Sequence, residues 1–428
     1  MNKFGFEKEM SRRSFIGSSL KTTLALGVLA GSGGLLAACS NIASTTSKNN
    51  SSGGKGKNGL IHGTISNQTF NLENTYFSVF DNSVKEAAAA LGISHMFQQH
   101  NGDSALQLSQ VDQLSTNQGK GIITYAPTAG VVPTFAQACQ NKQLYMVNIW
   151  NTPAWFTPLN VGDYYVQYSE YDGRRMGYDI AVALFKKIGG KGTVLHIPGF
   201  PGTSSDDGRT FGIKKALKEY PDIKIITGQP GNWNRIDSKK AMEDLLVSAN
   251  SFDGVIGQND DQTQGILQAL KERKVNVPVV SMDGTPEGLK SVINGDVLCT
   301  SAMVTTHEGG NALVQIFDAM NGWKPSVPER MMFHDPVFVT KDNAQQVYDK
   351  MYGGKTTGFD WVKMSRTLTP NNWDPQLGMS PIDVWEYWNG KKVNSGMGLP
   401  SEYKTAKSKG EWKRVTELYQ KQYKKKFI

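Results

Sequence analysis

From residue 59 onward the chain alternates short, β-rich apolar runs with longer segments of helical period, and this alternation limits the fold more than any other feature. Candidate strands cover 60–66, 95–99, 121–125, 144–149, 193–197, 223–227, 254–257 and 277–282, with helical stretches at 76–91, 104–115, 177–188, 207–220, 238–249 and 262–272. Strand–helix–strand units at this spacing predict parallel sheets, because each crossover lays its helix on a sheet face. The pattern runs for about four units, pauses over 151–172, then runs for about four more; the pause, with Pro153, Pro158 and the run 163–168, reads as a crossover. The expected fold class is α/β: two doubly wound parallel-sheet lobes joined by a multi-strand hinge, with a C-terminal extension. Carboxyl ends of the strands then face one crevice, where a small molecule binds.

Charge separates this body from the two ends. Of the formal charge of +8, three units lie in residues 1–38, where Lys3, Lys8, Arg12, Arg13 and Lys21 outweigh Glu7 and Glu9. Seven lie in 404–428, where nine basic residues outweigh Glu411 and Glu417, so residues 39–403 carry −2. A near-neutral body lacks the basic footprint of a nucleic-acid binder.

Residues 24–38 are apolar and small, too short to span a bilayer, and follow a basic stretch, so 1–38 reads as an export signal. Ser11-Arg12-Arg13-Ser14-Phe15-Ile16 resembles the twin-arginine motif, and a general secretory leader holding two arginines also fits. Leu36-Ala37-Ala38-Cys39 resembles the bacterial lipobox, which implies lipidation at Cys39 and anchoring to the outer face of the cytoplasmic membrane. Residues 39–58, rich in Ser, Asn, Gly, Thr and Lys, form a tether with a reach of roughly 25 Å. Cys139 and Cys299 sit in apolar surroundings and read as buried free thiols.

Several dispersed motifs over about 59–340 resemble the ribose-binding branch of the type I periplasmic binding proteins, the extracytoplasmic receptors of ABC sugar importers. They are Asn74-Thr75-Tyr76-Phe77, the run 103–114, Gly202-Thr203-Ser204-Ser205, Gln258-Asn259-Asp260 and Asp283-Gly284-Thr285-Pro286, in that order and at strand ends. The resemblance implies an N-terminal lobe of 59–165 plus 305–335, a C-terminal lobe of 166–304 and an extension of 336–428 packing on the lobes or hinge. It also implies a neutral sugar or polyol as ligand, an ABC permease and its ATPase as partners, a monomer, and no cofactor. A sugar offers hydroxyls and C–H faces, so its site needs planar hydrogen-bonding side chains between aromatic plates.

Carried over residue by residue, the ligand contacts fall on Ser66, Asn74, Tyr76 and Phe77 in the first lobe, and on Asn259 and Asp283 in the second, with Trp233 as a stacking plate. Asn and Asp before a helix also serve as N-caps, and aromatics at a helix start also serve as core. Where the family ends its fourth strand with an Asp-Arg pair, this chain has Trp150-Asn151, an indole and an amide. Where the family offers an arginine after the Gly-Thr-Ser turn, Asp207 aligns, with Arg209 two positions on; the hinge run Ala302-Met303-Val304-Thr305 lacks the usual glutamine. These departures favour a pentose other than ribose, a hexose or a polyol.

No enzyme motif stands out. Gly354-Lys355-Thr356 has Asp349 where a phosphate-binding loop needs glycine, and the six histidines show no metal-ligand spacing. A sugar sensor signalling to a membrane kinase or chemoreceptor fits the same sequence. A transcription regulator of this fold would carry a helix-turn-helix where the leader and tether stand. The extension holds Trp361, Trp373, Trp385 and Trp388, too apolar for disorder. Its basic end reads as a solvated helix docked by Val415, Leu418 and Tyr419, with attraction to anionic lipid as the functional alternative.

Overall fold

The computed structural model describes residues 59–249, 251–424 and 426–428, so the leader, Cys39 and tether expected of residues 1–58 lie outside the described residues. The first lobe holds strands β1 (Thr64–Thr69), β2 (Ser94–Gln99), β3 (Gly121–Thr124), β4 (Tyr145–Ile149) and β5 (Tyr165–Tyr171). The second holds β6 (Gly192–Ile197), β7 (Ile223–Thr227), β8 (Gly254–Gly257), β9 (Val279–Asp283) and β10 (Cys299–Ala302). The chain then returns through helix Thr305–Met320 to β11 (Met331–His334), crosses to β12 (Val337–Thr340), and later adds β13 (Met379–Pro381). The sheet orders are β13-β11-β5-β4-β3-β1-β2 and β12-β10-β9-β8-β6-β7, parallel except that β13 and β12 run antiparallel at the edges. The fold is therefore two doubly wound α/β lobes joined at four crossings, after Tyr171, Ala302 and His334 and between Tyr352 and Trp361.

Two expectations need correction. Residues 165–171 are a central strand of the first sheet, not a crossover, so the first lobe runs to Tyr171 rather than stopping at 165. The segment Tyr165-Val166-Gln167-Tyr168-Ser169-Glu170-Tyr171 lacks an aliphatic run yet is buried throughout. Two of its polar side chains find partners inside: Gln167 Nε2 donates to the Glu329 carbonyl at 2.7 Å, and Glu170 Oε2 accepts from Ser204 Oγ at 3.0 Å. The segment 336–428 is also not wholly an appendage. β12 completes the second sheet, and helix Ala344–Tyr352 packs on helix Pro286–Asn294 of that lobe.

Beyond Tyr352 the chain lies mostly on the first lobe. Trp361 fills the space left by Gly310, where a Cβ would stand 2.3 Å from the indole. Buried Asp318 accepts from the amides of Arg366 at 2.8 Å and Thr367 at 3.0 Å. Arg366 pairs with Glu329 at 2.7 Å, donates to the Tyr419 hydroxyl at 2.7 Å, and lies 3.7 Å over the Trp373 ring centroid. Val415 and Tyr419 of helix Glu411–Gln422 are buried, which docks the basic end. The extension also reaches the second lobe: Arg174 Nη1 donates to the Glu386 carbonyl at 3.1 Å, and Lys391 pairs with Asp207 at 3.1 Å. Both thiols are buried and unpaired, and burial pushes Cys299 up to about 12.

Arg366→Met should cost about 3–5 kcal/mol, because it strands the buried Glu329 carboxylate. Urea denaturation followed by tryptophan fluorescence measures it; a loss under about 1 kcal/mol, the range of an exposed pair, would contradict that role.

Candidate functional site

Between the lobes lies a cavity of about 60 Å³, lined by Asn74, Tyr76, Phe77, Tyr125, Trp150, Ser205, Arg209, Trp233, Asn259, Asp283 and Met303. At roughly 10–15 Å³ per water it holds about five, the scale of one small monosaccharide or polyol. Its lining comes from the carboxyl ends of the strands. Asn74 follows β1 and caps helix Thr75–Leu91, its Oδ1 accepting from the Tyr76 amide at 2.9 Å. Tyr76 and Phe77 stand on that helix's first turn, Tyr125 follows β3, and Trp150 follows β4. Asn259 follows β8 and caps helix Asp260–Glu272, accepting from the Gln262 amide at 2.8 Å. For both asparagines the capping and lining positions coincide, since one side-chain oxygen serves the helix while the amide nitrogen stays free.

The first-lobe wall is aromatic, with the Phe77 and Tyr125 rings edge to face at 5.1 Å. The second-lobe wall is polar. Arg209 Nη2 donates to Asp283 Oδ1 at 2.8 Å, and Arg209 Nη1 donates to the Gln258 carbonyl. The guanidinium lies 5.3 Å from the Trp233 centroid and 5.9 Å from that of Trp150, so it spans both walls. Burial pushes the Asp283 carboxyl up to about 7, against the opposing pull of Arg209. Asp283 holds φ +115°, Trp150 +57° and Trp233 +60°, left-handed conformations that non-glycine residues keep only where their surroundings impose them.

Three residues expected at the site are placed elsewhere. Ser66 is mid-strand in β1, which continues to Thr69, and its hydroxyl donates to Gln98 Oε1 at 2.6 Å within the lobe. Asn151 exchanges two hydrogen bonds of 3.0 Å with Ser204 and donates to the Ala126 carbonyl at 2.7 Å, so it joins the lobes behind the cavity. Asp207 lies on helix Ser204–Glu219 between Ser205 and Arg209. Those two are four residues apart and share the face toward the cavity, whereas Asp207 points outward to Lys391. Arg209 thus occupies the cavity. Tyr125, Ser205 and Met303 line it without having been singled out; their signal was position, each standing just past a strand end or on the helix face that carries Arg209. Among the described residues no group of three or more His, Cys, Asp or Glu side chains is placed to hold a metal ion.

A methyl on Gly199 would stand 1.9 Å from Trp233 Cη2, so this glycine makes room for the indole. Gly199→Ala should expel the ring and shift tryptophan emission to the red while the fold persists; an unchanged spectrum would contradict the packing. The site also sets a pH dependence. Burial pushes Glu170 and Asp283 up to about 7 and Glu308 up to about 8. Folded pKa values above the unfolded ones give stability that is full at low pH and lost as pH rises through them. Burial lowers His100, His196 and His307 to about 4, and their contribution is lost only as pH falls below the ordinary histidine value. The carboxyls therefore own the interval from about pH 6.5 to 8.5, and urea midpoints should fall across it. A flat or rising profile would contradict this.

Residues 66–324 match the periplasmic binding protein domain family. The xylitol-binding protein of Mycolicibacterium smegmatis is 33% identical over 264 residues, which cover 60% of this chain and 71% of that protein. The ribose import binding protein of Haemophilus influenzae is 26% identical over 261 residues, 61% and 87% of the two chains. A twin-arginine translocation pathway signal protein from Burkholderia phytofirmans superposes with a TM-score of 0.64 at 26% identity, covering 68% of this chain and 94% of that one. The arabinose-binding component of a Shewanella transporter superposes at 0.62 with 22% identity over 68% and 96%, which shows the same fold. With two doubly wound lobes and a match over most of its two-lobed body, the chain belongs to the periplasmic binding protein family.

Proposed function

We propose that this protein captures a neutral sugar or polyol between its lobes and delivers it to the permease of an ABC importer driven by its ATPase. The observation that carries this reading is the contrast between the cavity's two walls. Aromatic faces of Tyr76, Phe77 and Trp150 suit C–H surface, and Arg209, Asp283, Asn259 and Ser205 opposite suit hydroxyls. Arg209 and Asp283 already pair, so the cavity asks for no ligand charge. Relatives named for xylitol and ribose support the same class. The contacts of Asn74, Trp233, Asn259 and Asp283 with ligand belong to this proposal. So do closure of the lobes around the ligand and action as a monomer without a cofactor. Export and lipid anchoring through Cys39 rest on the leader sequence; among the described residues no helix is long and apolar enough to cross a membrane.

A thermal-shift screen against pentoses, hexoses, polyols and inositols tests it. A ligand at about a hundred times its Kd stabilises the folded state by about 2.7 kcal/mol, enough to raise the midpoint by several degrees. Trp233→Ala and Asp283→Asn should each abolish the shift while leaving the ligand-free protein folded. No stabilisation by any of these compounds would overturn the assignment.

A further inference from the structure

Trp150 Nε1 donates to the Tyr76 hydroxyl at 3.0 Å, and that hydroxyl donates to Glu308 Oε2 at 2.9 Å. All three side chains are buried, and Glu308 is fully so. Trp150 and Tyr76 line the cavity, while Glu308 stands behind them on helix Thr305–Met320, just past the second crossing. A phenol has one proton to give, so the polar atoms of Tyr76 and Trp150 are engaged with each other and with Glu308. What these two residues offer a ligand is ring surface. The left-handed backbone of Trp150 points the same way: a bulky residue at φ +57° persists because its surroundings hold it there.

We infer that Glu308 is the positioning residue of the aromatic wall: by accepting from Tyr76 it holds the Trp150 indole with its N–H withdrawn. The wall so held selects ligands that turn C–H groups rather than hydroxyls toward Tyr76 and Trp150. Acyclic polyols and deoxysugars are favoured over sugars hydroxylated on both faces. The ligand part of this inference rests on the sugar or polyol reading above; the positioning part does not.

Glutamine is the conservative test of the position. Burial pushes the Glu308 carboxyl up to about 8, so near neutral pH it is mostly the neutral acid. A glutamine side chain is likewise neutral and keeps a carbonyl acceptor for the Tyr76 hydroxyl.

Protein labelled with 15N-tryptophan, without ligand, reports the indole directly, the Trp150 N–H resonance being identified by its loss in Trp150→Phe. Its protection from hydrogen exchange should survive in Glu308→Gln and fall about tenfold or more in Glu308→Leu and Tyr76→Phe, the effect of one lost buried hydrogen bond. Calorimetry with xylitol, a 6-deoxyhexose and its parent hexose reports selection. The affinity ratios should hold in Glu308→Gln and move about tenfold toward the parent hexose in Glu308→Leu. Unchanged indole protection in Glu308→Leu would overturn the positioning role. Lost protection with unchanged ratios would overturn the selection. Failure of the unaltered protein to bind any of the three would count against both the selection and the sugar reading, while indole exchange still decides the positioning.

Discussion

Parallel strands in doubly wound sheets bring the residues that can meet a ligand together at the strand ends, and that constraint organises this protein. Every cavity residue stands at or just past the end of a strand or on the first turns of the helix that follows. Asn74 and Asn259 show the economy of the arrangement. A helix start needs a side-chain acceptor, and a sugar site needs an amide, so one residue at the start of a helix meets both needs. Two such sheets facing each other turn two rows of strand ends into one cavity.

Electrostatics then decide what the cavity accepts. Arg209 is buried among Asp283, the Gln258 carbonyl and the faces of two tryptophans, and its charge is met inside the protein. The surrounding acids respond to burial by holding protons to higher pH, with Glu308 displaced to about 8 and Glu170 to about 7. A site whose acids are largely neutral or paired suits an uncharged ligand.

Much of the fold was legible because apolar strand runs and helical periods are local signals; 223–227 and 254–257 coincide with β7 and β8. β5 was not legible. It mixes aromatic and polar residues, with tyrosine at every third position, and its burial depends on partners such as Glu329 and Ser204, distant in sequence, that no local pattern reveals. The same holds at the site. Asp207 and Arg209 differ by two positions, yet helical geometry turns one to the cavity and the other to Lys391 on the extension. Ser66 shows the cost of misplacing a strand end by three residues.

By itself the sequence determined the class of fold, the family resemblance and the amide, acidic and aromatic residue types at strand ends, because each is encoded in short runs and their order. Only the tertiary structure decided which of those side chains meet, that Glu308 stands behind Tyr76 and Trp150, and that the extension docks through Arg366 on the first lobe while touching the second. Those outcomes depend on side-chain direction and on hydrogen bonds between residues as far apart as Tyr76 and Glu308, and such contacts exist only once the backbone has brought them together.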